Sequence, residues 1–194
     1  QFRLNLRILL YKMRALKQFF FKKYFDTYFN LISQINKNQI IKLSEDLKKT
    51  KKKNKKILIF GNGAGAAIAS HFSSDAAKTL KIKALSFDNS AQITCFGNDY
   101  KFENWISETL KVFIDNGDLV ILLSASGRSK NMINAAKYLN KRKINFYSLT
   151  GFKKKNDLNK LSNKHFWINS TSYNHIEVVQ NMILLSSIDF ANNK

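Results

Sequence analysis

Residues 57–67 read Ile-Leu-Ile-Phe-Gly-Asn-Gly-Ala-Gly-Ala-Ala, a short apolar strand that runs into a glycine-rich turn and then into a helix of small residues. A second unit of this kind runs from Leu119 through the hydroxyl-rich turn Ser124-Ala-Ser-Gly-Arg-Ser129 to a helix near Asn131. In a parallel sheet both turns lie at the carboxyl edge, where unpaired helix amides and the helix dipole favour an anion. The sequence therefore predicts a site for a phosphorylated small molecule.

Two better-known phosphate-binding motifs do not fit the glycine turn. The dinucleotide spacing Gly-x-Gly-x-x-Gly fails because residue 66 is Ala, and about twenty residues later the chain reads Leu80-Lys-Ile-Lys-Ala-Leu85, with no acidic residue to hold a ribose. A Walker loop fails because the chain has no Gly-Lys-Ser or Gly-Lys-Thr. A simpler alternative is that the glycines only form a tight turn, but the presence of two such turns favours phosphate binding.

From residue 57 onward, apolar strands alternate with amphipathic helices, a pattern typical of a parallel sheet covered on both faces. We therefore predict a three-layer α/β/α sandwich with a five-stranded parallel sheet. The predicted strands are 57–61, 83–87, 119–124, 144–149 and 165–168. The predicted helices are 66–79, 100–114, 130–141, 156–161 and 174–191.

The first 50 residues read as helices rather than as part of the sheet. Apolar residues recur at spacings of three and four from Phe2 to Phe20, and again from Phe25 to Ile32. The first stripe is broad and aromatic, which predicts packing against the core or another subunit. We assign residues 1–50 to a helical oligomerisation segment and residues 51–194 to the α/β domain.

Composition restricts the partners that we expect. The formal net charge is +20, but much of the excess lies in the lysine run just before the first strand, so a solvated lysine face is favoured over a nucleic-acid groove. No apolar run approaches the roughly 20 residues that span a bilayer, so no membrane partner is expected. Cys95 is the only cysteine, which agrees with a reducing cytoplasm.

Five short motifs, in this order along the chain, resemble those of the sugar isomerase (SIS) domain: Gly61-Asn-Gly63, His71-Phe72, Gly97-Asn-Asp99, the loop 124–129 and Leu149-Thr-Gly151. The similarity spans roughly residues 35–190. The serine-rich loop is shared across SIS domains, whereas Gly-Asn-Asp and the helix with His71 and Asp75 are similar to the phosphoheptose isomerases in particular.

This resemblance implies a cytoplasmic enzyme that converts sedoheptulose 7-phosphate to D-glycero-D-manno-heptose 7-phosphate for surface-polysaccharide synthesis. It also implies a homo-oligomer, as a dimer of dimers with active sites at subunit interfaces, and zinc, which many members bind. The residues that it implies for substrate and phosphate binding are Asn62, Gly63, Asn98, Asp99, Ser124, Ser126, Arg128 and Ser129.

The chain departs from the family pattern most strongly on its last helix. Aligned on Ile176, Glu177 takes the position of the family's glutamine and Val178 that of its glutamate, while the second, functional histidine falls on Leu185. Smaller departures are Ala64-Gly65 after Gly-Asn-Gly, Asp75 in place of glutamate, and Ala125 in place of threonine.

Aldose–ketose isomerisation needs a base that takes a proton from carbon and an acid or metal that polarises the carbonyl. His71 and Asp75 are four residues apart and share a helix face. Glu177 is the only carboxylate in the motif region of the last helix, so we predict Glu177 as the acid–base residue, with His71 as its partner and Asp75 orienting His71. The same three side chains are the predicted zinc ligands, with one position left open.

Simpler interpretations of these residues remain. In the simpler interpretation of Asp75, its carboxylate only fixes the tautomer of His71. In that of Glu177, the carboxylate only complements the dipole of the last helix. The main alternative for the whole chain is a non-catalytic SIS domain that binds a sugar phosphate or a protein partner. A nucleic-acid-associated SIS protein is a third alternative, which only the charge supports.

Overall fold

The computed structural model describes residues 2–193, and it describes side chains from residue 16 onward. The chain forms two compact units, Gln1–Gln34 and Ile35–Lys194. The second unit therefore includes a helix that we had grouped with the N-terminal segment of residues 1–50. No helix within residues 2–193 combines the length and the apolar character that crossing a bilayer requires.

The first unit is a single helix, α1 (Phe2–Ser33). Five phenylalanines on its second half each expose more than half of their side-chain surface: Phe19, Phe20, Phe21, Phe25 and Phe29. The predicted apolar stripe begins at Phe2, and its members up to Met13 lie outside the described side chains. Burial of this stripe between subunits stays a prediction.

The second unit alternates helices and strands after an opening helix. In chain order its elements are α2 (Lys37–Lys52), β1 (Lys56–Gly61), α3 (Ala64–Asp75) with a π-helical turn Ala76–Leu80, β2 (Lys83–Ser86), α4 (Ser90–Tyr100), α5 (Trp105–Phe113), β3 (Leu119–Ser124), α6 (Lys130–Lys141), β4 (Phe146–Thr150), α7 (Asp157–Leu161), β5 (Lys164–Trp167) and α8 (Tyr173–Asn192).

The five strands form one parallel sheet in the order β2-β1-β3-β4-β5, as predicted. Helices α2, α3 and α8 pack together on one face, and α5, α6 and α7 pack on the other, which gives three layers. Strands β3 and β4 are buried along their whole length, because helices cover both faces of the sheet.

Alternate side chains of the central strands enter different helical layers. Leu58 and Phe60 of β1 point into a core that contains Trp105 of α5 and Met132 of α6. The ring of Phe60 stacks on that of Phe87, with ring centroids 4.7 Å apart. This period of two fixes the register of β1 and therefore the point at which its glycine turn leaves the sheet.

One predicted helix, 100–114, was wrong in its bounds. The structure has two helices there, α4 and α5, because Lys101 adopts φ 67° and ψ 145°, which interrupts the helix. The start of α4 was missed. Asn89 caps it by accepting a hydrogen bond from the Gln92 amide at 3.2 Å, and the Gly97-Asn-Asp99 motif lies within this helix.

Candidate active site

The two turns that the sequence singled out lie side by side. Strands β1 and β3 are paired in parallel with Gly61 opposite Leu123, so the glycine turn and the serine loop (residues 124–129) leave the same carboxyl edge. A ligand at that edge would meet both turns, as is usual for open α/β sheets.

The glycine turn is closed by a hydrogen bond from the Gly65 amide to the Asn62 carbonyl at 2.9 Å. Gly61 is needed at the end of β1 because a Cβ there would overlap the backbone of Gly65. Gly63 precedes the first residue of α3, and no side chain among residues 16–193 caps that helix. Two amides at the start of α3 are used within the turn, because Gly65 bonds the Asn62 carbonyl and Ala66 bonds the Gly63 carbonyl at 3.0 Å, so it is the positive end of the helix dipole that favours an anion there.

The serine loop is a second tight turn, held by its own hydroxyl groups. The Gly127 amide bonds the Ser124 carbonyl at 3.0 Å, and the hydroxyl oxygens of Ser124 and Ser129 are 3.3 Å apart. Ser126 accepts a hydrogen bond from the Arg128 amide at 3.3 Å. Ser129 directly precedes α6, and none of the described side chains caps this helix, so the loop opens onto a second uncapped helix start.

Asn156 supports the serine loop from behind. Gly127 has φ 65°, and a Cβ there would overlap the side chain of Asn156, which is buried. The Asn156 amide group donates to the Thr150 hydroxyl at 2.9 Å, and its oxygen accepts from the Asn159 amide at 3.0 Å. The loop is thus fixed by a side chain that lies 27 residues or more beyond it in the chain.

A reciprocal amide pair joins the two turns. The side-chain amide of Asn62 donates to Asn131 at 3.1 Å, and that of Asn131 donates back at 2.9 Å. The Asn131 oxygen also accepts from the Met132 amide at 3.0 Å. Sequence reasoning predicted Asn62 as a binding residue but missed Asn131. The sequence offered one signal for Asn131, namely a polar residue in the first turn of α6. The structure shows that this residue is buried.

A cavity of about 570 Å³ opens beside these turns. It is lined by Asn62, Lys101, Phe102, Glu103, Ser129, Lys130 and Asn131. Asn98 and Asp99, which were predicted to bind substrate, instead lie exposed on the last turn of α4 and bond each other at 3.0 Å. They are not among the residues that line this cavity.

His71 and Asp75 lie together on α3, with the histidine Nε2 3.2 Å from a carboxylate oxygen of Asp75. Both side chains are exposed to solvent, His71 by 51%. The pair has the geometry that the orienting role of Asp75 requires, and the role itself stays a prediction.

Glu177 lies in the first half of α8, whose start is held at the carboxyl end of β4. Ile176 fills the space beside Gly151, and the buried Gln180 donates to the Leu149 carbonyl at 2.7 Å. The half-buried carboxylate of Glu177 has no hydrogen bond or ion pair with any described residue, and burial raises its pKa. A raised pKa on an unpaired carboxylate suits a group that takes up and releases a proton.

The predicted zinc ligands do not meet. Among the side chains of residues 16–193, no group of three or more His, Cys, Asp and Glu lies close enough to hold a metal ion. His71 and Asp75 share one helix face, but Glu177 on α8 makes no ion pair or hydrogen bond with either of them. The single chain therefore does not provide the three-ligand set that we predicted.

Comparison with known proteins gives one family and one fold. The sequence profile of the SIS domain matches residues 23–151. The chain is 38% identical over 109 residues to the phosphoheptose isomerase of Campylobacter concisus, covering 53% of this chain and 57% of that protein. It is 40% identical over 112 residues to phosphoheptose isomerase 1 of Campylobacter jejuni, covering 54% and 60%. The matched segments thus span little more than half of these relatives.

The fold is also similar to that of a solved structure. It matches the phosphoheptose isomerase GmhA from Neisseria gonorrhoeae with a TM-score of 0.82 over 91% of this chain and 98% of that chain, at 21% identity. At that level of identity the likeness concerns the architecture, and the predicted α/β/α sandwich is confirmed.

Proposed function

Because the chain belongs to the SIS domain family, we propose that it is a phosphosugar isomerase that acts on sedoheptulose 7-phosphate. The observation that carries this proposal is the direct link between the glycine turn and the serine loop through Asn62 and Asn131, beside an open cavity. The named relatives support the choice of substrate. The product would be D-glycero-D-manno-heptose 7-phosphate, a heptose for bacterial surface polysaccharides.

In the proposed reaction the phosphate is bound by the serine loop and by the uncapped starts of α3 and α6. Glu177 takes the proton from C1 of the ketose, and the C–H electron pair forms the C1–C2 double bond of an enediol. His71, oriented by Asp75, protonates the former carbonyl oxygen. Return of a proton to C2 and loss of the proton from the C1 hydroxyl give the aldose, so the proposed step is a proton transfer without net oxidation.

The direct test is incubation of the purified protein with sedoheptulose 7-phosphate, with and without added zinc, followed by NMR detection of an aldoheptose phosphate. We expect turnover. Binding of the ketose without any product in either arm would reject the isomerase proposal. It would favour the second candidate, a non-catalytic SIS domain that binds a phosphosugar. This candidate is supported by Leu185, which stands at the position of the family's last-helix histidine.

We predict that Ser126→Ala and Ser129→Ala each weaken binding of sedoheptulose 7-phosphate by about 1–3 kcal/mol, because each removes a hydroxyl partner of a charged phosphate. Isothermal titration calorimetry measures this effect. Ser186→Ala is a matched control, because Ser186 lies on the distant half of α8 and bonds the Ile183 carbonyl at 3.0 Å. Unchanged affinity in both loop variants would place the phosphate elsewhere.

We also propose that the exposed aromatic surface of α1 joins subunits into a dimer of dimers in the cytoplasm. Each of the five phenylalanines on the second half of α1 exposes more than half of its side-chain surface, and exposed apolar clusters often mark protein contacts. We predict an oligomer by light scattering at micromolar concentration, and a smaller particle for the double variant Phe25→Ser/Phe29→Ser. A monomer for the unaltered protein would contradict this prediction.

A further inference from the structure

The turn between α4 and α5 carries the most unusual backbone conformation at the candidate site. Lys101 has φ 67° and ψ 145°, a region that residues with a Cβ rarely adopt and that glycine adopts readily. Two other lysines, Lys81 and Lys143, also have positive φ, but of these three lysines only Lys101 lines the cavity beside the serine loop. A strained residue at a ligand cavity suggests a functional reason for its side chain.

The strain is maintained by hydrogen bonds on both sides of Lys101. The Asn104 amide donates to the Lys101 carbonyl at 2.9 Å, and the Asn104 side chain donates to the Tyr100 carbonyl at 3.1 Å. Asn134 of α6 donates to the Glu103 carbonyl and to the Asn104 side chain, each at 2.9 Å. Since α6 begins directly after the serine loop, Asn134 fixes this turn relative to that loop.

The charges around the cavity leave Lys101 available for an anion. Among the described residues that line the cavity, the other charged ones are Lys130 and Glu103, whose charged atoms lie 3.7 Å apart. Lys101 forms no ion pair or side-chain hydrogen bond with any residue whose side chain the structure describes. The amides of Asn62 and Asn131 in the same cavity are already bonded to each other. Lys101 therefore provides the unneutralised positive charge of the cavity wall.

We propose that Lys101 is a binding residue whose ammonium group contacts the phosphate of the sugar phosphate held at the serine loop. This inference rests on the proposed function and extends it. The turn places a lysine where glycine would be relaxed, and the charge gained for phosphate binding offsets the conformational cost. Because the ammonium is exposed, its effect should fall as salt screens the charge.

The test compares two variants of Lys101 with a matched control. Lys101→Gly removes both the charge and the strain, whereas Lys101→Gln removes the charge and keeps the strain. Lys143→Gly is the control, because Lys143 also has positive φ, at 56°, but lines a different cavity. The probe is sedoheptulose 7-phosphate in calorimetry at low and high salt, together with chemical denaturation of each variant.

Both Lys101 variants should bind the probe about threefold to tenfold more weakly at low salt, with a smaller difference at high salt. Lys101→Gly should also unfold at a higher denaturant concentration than Lys101→Gln. Lys143→Gly should gain stability and keep its affinity. Full affinity in both Lys101 variants would overturn the inference even if the protein turns over its substrate. Weaker binding in both, without turnover in the unaltered protein, would support Lys101 and reject the isomerase.

Discussion

Glu177→Gln is expected to lower kcat for sedoheptulose 7-phosphate by about 10²–10⁴-fold, while substrate binding survives. Glutamine keeps the size and polarity of the side chain but cannot take a proton from carbon. The carboxylate of Glu177 is half-buried and makes no hydrogen bond or ion pair with the residues that the structure describes, so the substitution breaks no native contact of that group. Steady-state kinetics and calorimetry on the same preparation separate the two effects.

The pH profile gives an independent check on this assignment. Burial raises the pKa of Glu177, so its basic form should appear only above the pH range in which an exposed glutamate ionises, near 4.3. We therefore expect kcat/KM to rise with pH through that raised pKa. Asp75→Asn is the comparison variant. A larger loss in Asp75→Asn, with near-normal turnover in Glu177→Gln, would assign the base to Asp75 instead.

The second large effect is expected at the serine loop, where Gly127→Ala should destabilise the fold by about 2–4 kcal/mol. Alanine is strained at φ 65°, and its Cβ would displace the buried side chain of Asn156, which holds Thr150 and the start of α7. Since the same loop is the proposed phosphate site, affinity for the phosphosugar should also fall. Urea denaturation and calorimetry measure the two losses.

Gly97→Ala is the matched control for this prediction. Gly97 lies within α4 without a positive φ, and a Cβ there would meet the Phe102 ring at an ordinary 3.9 Å. This variant should be neutral or gain about 0.5–1 kcal/mol from helix propensity. In the background Asn156→Ala, Gly127→Ala should cost less, because the side chain that it displaces is absent. Equal costs in both backgrounds would contradict this account of the loop.

The sequence was sufficient for the parts of the fold that depend on local pattern. Continuous apolar runs such as 119–124 predict buried strands of a parallel sheet, and glycine or serine after a strand predicts its turn. The sheet and both turns were therefore predicted correctly. The boundary between α4 and α5 was not, because it depends on one strained residue, Lys101, whose conformation is maintained by Asn134 of α6.

The parts of the site that the sequence did not reveal depend on contacts between distant residues. Asn131 and Asn156 are single polar residues, and their spacing does not show that one pairs with Asn62 and the other packs behind Gly127. Conversely, Asn98 and Asp99 belong to a recognisable motif but do not line the cavity.

The most direct test of the central claim is NMR analysis of the unaltered protein with sedoheptulose 7-phosphate in D₂O. If the carboxyl edge of the sheet carries out proton transfer through an enediol, the product is an aldoheptose 7-phosphate with deuterium at C2. The deuterium is expected because a carboxylate that is partly open to solvent exchanges its proton before returning it. A ketose that binds but remains unchanged and unlabelled, with or without zinc, would contradict the claim.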